Sequence, residues 1–434
     1  MKNRDMKLSD LIEIKHGFAF KGEFFSDIPT TYIIATPGNF AIGGGFQWGK
    51  MKYYNGALPD GYCLSEGDII VTMTDLSKEA DTLGYAASVP ASTDTLLHNQ
   101  RIGKIIPKKD VNLRFIYWLM RSPAYRDEIL ASYTGSTVKH TSPSRILSFE
   151  FPCPSPEDQH RIALILDFLD DKIDLNRRTN ETLEAMARAL FRDWFVDFGP
   201  TRAKMAGKAP YLAPELWELF PDRLDDEGKP EGWLYESVSS LGEVVCGKTP
   251  STQNPLFYGD AVPFITIPDM HNKVFTYNTR RYLSTLGANS QHKKTLPPLS
   301  ICVSCIATPG LVTLTKLPSQ TNQQINSIIP FKKKNAFFIY ETMRALSQEI
   351  QSQGSGGSVF FNLNTGKFKE ISVLLPTQDI LDFFHKSVYP TFGKIIDNDE
   401  QSSTLSQLRD LLLPKLMSGE ISIRDAQKMV EDAA

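Results

Sequence analysis

Two stretches of this chain space their apolar residues by alternating steps of four and three. In the first, Ile162, Leu166, Leu169, Ile173, Asn176, Asn180, Leu183, Ala187, Leu190 and Trp194 keep that spacing, and no glycine or proline falls between Asp158 and Phe195. This is the seam of a helix that packs lengthwise on another helix. At about 1.5 Å per residue such a helix would run roughly 55 Å, well beyond an ordinary globular helix, so it reads as a spacer. A second copy places Phe384, Val388, Thr391, Ile395, Asn398, Ser402, Leu405 and Leu412 at corresponding steps. Pro390 falls inside it and predicts a kink or a broken start near Tyr389, because proline removes a helical hydrogen bond and crowds the preceding turn. Pro414 predicts its stop. Asn176 and Asn398 occupy equivalent seam positions, which suggests a buried amide pair fixing the register of two antiparallel helices. Solvent exposure of both is the alternative.

The remaining sequence is one pattern written twice. Leu8-Ser9-Asp10-Leu11 with Gly17 corresponds to Val238-Ser239-Ser240-Leu241 with Gly247. His98-Asn99-Gln100-Arg101-Ile102-Gly103-Lys104-Ile105-Ile106-Pro107 corresponds to Thr321-Asn322-Gln323-Gln324-Ile325-Asn326-Ser327-Ile328-Ile329-Pro330, with six of ten positions identical. Gly135-Ser136 matches Gly357-Ser358, and the proline-terminated, strand-like run Phe149 to Pro154 matches Ile371 to Pro376. A repeat near half the chain length means tandem domains rather than a solenoid. The predicted fold is α+β: two tandem globular domains, 1–155 and 233–376, separated by two long antiparallel helices, 156–198 and 377–434. The Pro-, Gly- and charge-rich stretch 199–232 reads as a linker.

At 434 residues the chain exceeds what one core organises, in agreement with that division. Hydrophobic residues make up 41% and charged residues 22%. No apolar run approaches the roughly 20 residues that span a bilayer, and the charged start Met1 to Asp10 lacks the apolar stretch of a signal peptide. A soluble cytoplasmic protein with no membrane partner is expected. Five scattered cysteines make no disulfide framework. The net charge of -3 is unevenly distributed: Lys and Arg outnumber Asp and Glu 13 to 8 over 231–376, but are outnumbered 16 to 11 over 155–230.

Several runs carry a specific resemblance. Pro156-Glu157-Asp158-Gln159 opens the first long helix and Arg188-Ala189-Leu190-Phe191-Arg192-Asp193-Trp194-Phe195-Val196-Asp197-Phe198 closes it. Pro230-Glu231-Gly232-Trp233, Gly247-Lys248-Thr249-Pro250-Ser251 and Leu411-Leu412-Leu413-Pro414-Lys415-Leu416-Met417-Ser418-Gly419-Glu420-Ile421 follow. Together they make the chain similar to the specificity subunits of Type I restriction-modification enzymes, over nearly its whole length. The resemblance implies that the globular domains are target-recognition domains, each reading half of a bipartite double-stranded DNA site. It implies that the helices set the spacing and bind two methyltransferase subunits, with restriction (translocase-nuclease) subunits as further partners. This chain would then hold no cofactor and perform no catalysis, S-adenosylmethionine belonging to the partner methyltransferase.

Motifs that point to enzymes fit their contexts poorly. Gly242 to Thr249 satisfies GxxxxGK[ST], but Pro250 follows at once where a phosphate-binding loop needs a helix. Asn254-Pro255-Leu256-Phe257 approximates an adenine methyltransferase signature without a glycine-rich cofactor loop, and Gly43-Gly44-Gly45 reads as a flexible loop. Cys302-Val303-Ser304-Cys305 lacks a second ligand pair, so no metal site is expected. A stand-alone DNA methyltransferase or nuclease with divergent motifs, and a protein-interaction scaffold, remain as alternatives; cofactor binding by the isolated chain would favour the first. DNA contacts are expected from Lys50, Lys52, Tyr53, Lys78, Lys139 and His140 in the first domain. In the second they are expected from Lys248, Thr249, Lys273, Arg280, Arg281, Lys293 and Lys294. Cations supply salt-sensitive phosphate affinity, while base-edge contacts supply sequence choice. Lys332-Lys333-Lys334 reads as a charged turn.

Overall fold

The computed structural model describes residues 4–108, 111–306, 308–352 and 364–433; the second Gly-Ser step, Gly357-Ser358, lies outside them. The chain divides into two units, Met1–Asn176 with Glu400–Ala434, and Arg177–Asp399. Among the described residues no helix is long and apolar enough to cross a membrane.

In the first unit a four-stranded antiparallel sheet runs in the order Ile12–His16, Ile102–Pro107, Ile69–Thr72, Ala86–Ser88. Ile69–Thr72 is rich in β-branched residues and buried throughout, as a central strand covered on both faces requires. A second sheet takes the order Phe25–Ser26, Tyr53–Tyr54, Tyr32–Ala35, Thr95–His98, Cys63–Leu64, and its Tyr32–Ala35 and Thr95–His98 strands are parallel. The helices Leu113–Leu119 and Pro123–Ser132 follow, and Arg4–Lys7 pairs antiparallel with Glu150–Cys153.

The second unit repeats this plan. Its larger sheet takes the order Gly242–Cys246, Ile325–Pro330, Ile301–Ser304, Val312–Thr315, Phe275–Thr276, the last strand having no counterpart in the first unit's equivalent sheet. Its smaller sheet takes the order Tyr258–Gly259, Tyr282–Leu283, Val262–Ile265, Gln320–Thr321, again with one parallel pair, Val262–Ile265 beside Gln320–Thr321. Leu234–Ser237 pairs with Ser372–Leu375, so both proline-terminated runs are strands at the same offset.

The repeated decamer joins the two sheets of each unit. In the first, the Gly17 N–H donates to Ile102 O (3.2 Å) and the Phe18 N–H to His98 O (2.8 Å). In the second, the Gly247 N–H donates to Ile325 O (3.1 Å) and the Lys248 N–H to Thr321 O (2.9 Å). A Cβ on Gly17 would lie 2.0 Å from Asn99 O, and one on Gly247 2.1 Å from Asn322 O. Only glycine allows this close backbone approach.

The long helices are Pro156–Phe195 and Gln378–Ser418. The predicted seam residues are buried or half-buried in both. Ile162, Leu166 and Leu169 share the core of the first unit with Leu412, Leu416, Phe115 and Trp118. Ala187, Phe191 and Trp194 share that of the second with Phe384, Val388, Phe392 and Phe338. Each long helix therefore contributes to the core of both units instead of standing as a segment of its own. Within each unit the pairing is antiparallel: Asp170 meets Arg409 and Asn176 meets Gln401 in the first, Asn180 meets Asn398 and Phe191 meets Phe384 in the second.

Three expectations are corrected. The helix passes unbroken through Pro390, because Phe384, Val388, Phe392 and Ile395 are buried on either side of it while Pro390 and Lys386, whose carbonyl loses its donor, face solvent. It passes Pro414 for the same reason, with Asp410 exposed and Leu412, Leu413, Leu416 and Met417 buried; it ends at Ser418, before Gly419 in the left-handed region (φ 76°). The 199–232 stretch is folded, with helices Gly199–Met205 and Pro214–Trp217 and with Leu216 and Phe220 buried beside Trp194 and Trp233.

Candidate nucleic-acid interface

A loop at the same place in each unit carries five of the ten lysines and arginines singled out in the sequence. In the first unit it leaves strand Tyr32–Ala35 and returns at Tyr53–Tyr54, where Ile33 pairs antiparallel with Tyr53. In the second it leaves Val262–Ile265 and returns at Tyr282–Leu283, where Val262 pairs with Leu283. Both loops open with a capping box that satisfies the backbone donors of a short turn. Asn39 Oδ1 accepts from the Thr36 N–H (2.8 Å) and hydroxyl (3.1 Å). Asp269 Oδ2 accepts from the Thr266 N–H (2.9 Å) and hydroxyl (2.6 Å). Sequence reading missed Asn39 and Asp269. The signal was a Thr-x-x-Asn/Asp step after each strand, visible once the repeat is extended through the sheet that holds the parallel pair.

The first loop turns at Gly43, Gly44 and Gly45, which all have positive φ, and Arg121 Nε donates to Gly43 O (2.9 Å). Trp48, 46% exposed, packs edge-on against Phe46. Lys50 and Lys52 are exposed on the returning limb, Lys52 lying over the Phe25 ring, and Tyr53 is half-buried. In the second loop Lys273 Nζ donates to Asn278 O (3.3 Å), and exposed Arg280 and Arg281 follow.

A second group forms one corner of the second unit. Lys248 is exposed, and its carbonyl accepts from Gln291 Nε2 (2.8 Å), one residue before the His292–Lys294 turn that presents Lys293 and half-buried Lys294. The Thr249 hydroxyl donates to Gln323 Oε1 (2.6 Å). The strand Gly242–Cys246 leads into the irregular stretch 247–250 rather than into a helix, so the GxxxxGK[ST] match lacks the geometry of a phosphate-binding loop.

The third group, Lys78, Lys139 and His140, surrounds the 76–84 loop of the first unit. Lys78 and His140 are exposed, but Lys139 is buried and its ammonium donates to Ser77 O (2.6 Å). Lys139 therefore leaves the surface set; it holds the loop from below. Asp75 holds it too. Burial alone would raise this carboxyl, but hydrogen bonds from Thr82 and Ser77 outweigh that and keep its pKa at about 2. Among the described residues the side-chain nitrogens of Lys50, Lys52, Lys78, Lys248, Lys273, Arg280, Arg281, Lys293 and Lys294 have no carboxylate oxygen within 4.0 Å, which leaves their charge available to phosphate.

Cys302 and Cys305 are buried, their sulfurs contacting Ser327 and Asn326. In the helix pairing, Asn398 Nδ2 donates to Asn180 Oδ1 (2.8 Å) and Asn180 Nδ2 to Asp399 Oδ1 (2.8 Å). Asn176 Nδ2 donates to Gln401 Oε1 (2.9 Å) and Ser402 Oγ (3.2 Å). Both seam amides are buried, which excludes the exposed alternative.

Two like-built units, each presenting exposed cations on a braced loop of the sheet that holds its parallel strand pair, are the architecture of a two-module nucleic-acid-recognition protein. The model of the Type I restriction modification DNA specificity domain matches residues 2–185 and 230–392, and the chain belongs to that family. It is 40% identical over 338 residues to the specificity subunit of the Type I restriction enzyme HindI of Haemophilus influenzae, covering 68% of this chain and 74% of that one. It is 27% identical over 358 residues to the MjaIX specificity subunit of Methanocaldococcus jannaschii, covering 79% and 76%. Its fold resembles the crystal structure of a Type I restriction-modification S subunit from M. genitalium, with a TM-score of 0.54 at 14% identity over 95% of this chain and 96% of that one.

Proposed function

We propose that this chain reads a bipartite site on double-stranded DNA, one half with each unit, and directs partner adenine-N6 methyltransferase subunits to it. The carrying observation is the loop between paired strands of the sheet that holds the parallel pair, repeated in both units with the same capping box and with Lys50 and Lys52 in one, Lys273, Arg280 and Arg281 in the other. Phosphate contacts from such cations fix position on the duplex, and side chains at loop tips reach base edges. In this reading the chain holds no cofactor; S-adenosylmethionine is bound by two methyltransferase subunits, restriction subunits join the same complex, and all of it acts in the cytoplasm. Specificity then depends on both partners: this chain alone methylates nothing, and the methyltransferase alone has no sequence choice.

The test is a genome-wide map of N6-methyladenine in cells making this chain with its cognate methyltransferase subunit, against cells making the methyltransferase alone. A split, two-part motif present only with both proteins is expected. Absence of any such motif while the two proteins associate would overturn the reading in favour of a scaffold.

A further inference from the structure

The capping residues of the two loops differ by one atom type, and each matches the backbone it faces. Asn39 and Asp269 are both buried and both accept from the backbone and hydroxyl of a threonine three residues earlier. Their remaining valences point across the loop to its returning limb. Asn39 Nδ2 donates to the carbonyl of Gln47 (3.3 Å), beside Trp48. Asp269 Oδ1 accepts from the N–H of Arg280 (2.9 Å). The first loop offers an acceptor and is met by an amide; the second offers a donor and is met by a carboxylate.

The loops so held share a frame and little else. One carries Gly43-Gly44-Gly45-Phe46-Gln47-Trp48-Gly49-Lys50, the other His271-Asn272-Lys273 and Thr279-Arg280-Arg281. A constant frame under differing tips is how a scaffold holds interchangeable reading elements, since a base edge is recognised only by side chains whose backbone is already fixed. Resting on the DNA-reading function proposed above, we infer that Asn39 and Asp269 are positioning residues, each setting the base-reading loop of one half-site, and that Trp48 with Lys50 in the first loop and Arg280 with Arg281 in the second are its specificity determinants.

An isosteric exchange isolates this role. Asn39→Asp keeps the acceptor for Thr36 but sets an oxygen against Gln47 O; Asp269→Asn sets an amide against one of the N–H groups it now accepts from. Each full complex, wild type or variant, is mapped for N6-methyladenine in cells and titrated with duplexes altered in one half-site. The expected result is that each variant relaxes one half of the motif, a different half for each, with roughly tenfold loss of discrimination there and none at the other. Wild-type motifs from both variants would overturn the inference, as would equal loss in both halves. Should a variant fail to assemble, Trp48→Ala with Lys50→Ala, and Arg280→Ala with Arg281→Ala, decide it at exposed positions: an unchanged motif from these overturns it, relaxation confined to one half upholds it. A wild-type complex that yields no split motif is a different failure, that of the proposed function itself.

Discussion

Arg280 and Arg281 are exposed and adjacent, and among the described residues no carboxylate forms an ion pair with either guanidinium, so their charge is not spent inside the protein. Replacing both with alanine weakens binding of the full complex, and the slope of log affinity against log salt falls by about one for each arginine that also contacts phosphate. Titration at several salt concentrations checks this, and binding unaltered across them removes the pair from the interface. Lys139 shows why single residues were hard to rank from sequence. It carries the same charge as Lys78, but its place in the strand paired with Thr74–Asp75 turns it inward to a backbone carbonyl, and only pairing geometry decides that.

At the scale of elements, the four-three spacing located both long helices and their buried faces. What it misjudged was proline. A local rule counts one lost hydrogen bond; it does not count the buried Phe384, Val388, Phe392 and Ile395 that hold the helix together across Pro390. The same spacing placed Asn176 and Asn398 at the seam as one buried amide pair; both are buried, and Asn176 donates to Gln401 and Ser402. Asn398 donates to Asn180, itself a seam residue, and Asn180 to Asp399. Burial raises the Asp399 carboxyl above its ordinary value, against the hydrogen bond from Asn180. Asn180→Leu removes the acceptor of one buried amide and the donor to this carboxyl, and should cost about 1–3 kcal/mol. Thermal unfolding checks the cost. If the amides also set register, as in other helix pairs with a buried polar residue, Asn180→Leu with Asn398→Leu gives a mixture of oligomeric states by light scattering.

At the scale of the whole molecule, the two units are alike in plan and differ in what they bury. The first buries His98 at the clasp between its sheets, with Nε2 2.9 Å from Ile102 O; burial lowers its pKa to about 4 from the usual 6.5. The second has Thr321 at that position and instead buries Glu341, one of whose oxygens has no hydrogen-bond partner among the described residues; burial raises its pKa to about 7 from 4.5, despite Arg344 and Arg188 nearby. The signs are opposite. His98 favours the folded state fully above pH 6.5, and that contribution is lost as pH falls toward 4. Glu341 contributes fully below pH 4.5, and loses it as pH rises through about 7. Melting curves of variants should separate them: Glu341→Gln raises Tm relative to wild type at pH 8 and changes it little at pH 4.5. His98→Thr makes the acid limb shallower between pH 6.5 and 4. Equal effects of Glu341→Gln at both pH values would contradict its assignment.

By itself the sequence determined the period of the long helices, the doubling of the globular plan and the family, because seam spacing, repeated motifs and matched glycines are properties of the chain read in order. It named cations in both loops without showing that the loops correspond, since their residues differ and only the shared Thr36/Asn39 and Thr266/Asp269 boxes betray it. The tertiary structure decided which charges stay exposed, that helices run through Pro390 and Pro414, and that residues 199–232 pack. Each depends on burial supplied by residues far away in sequence, and distant burial outweighs a local preference of a few kcal/mol.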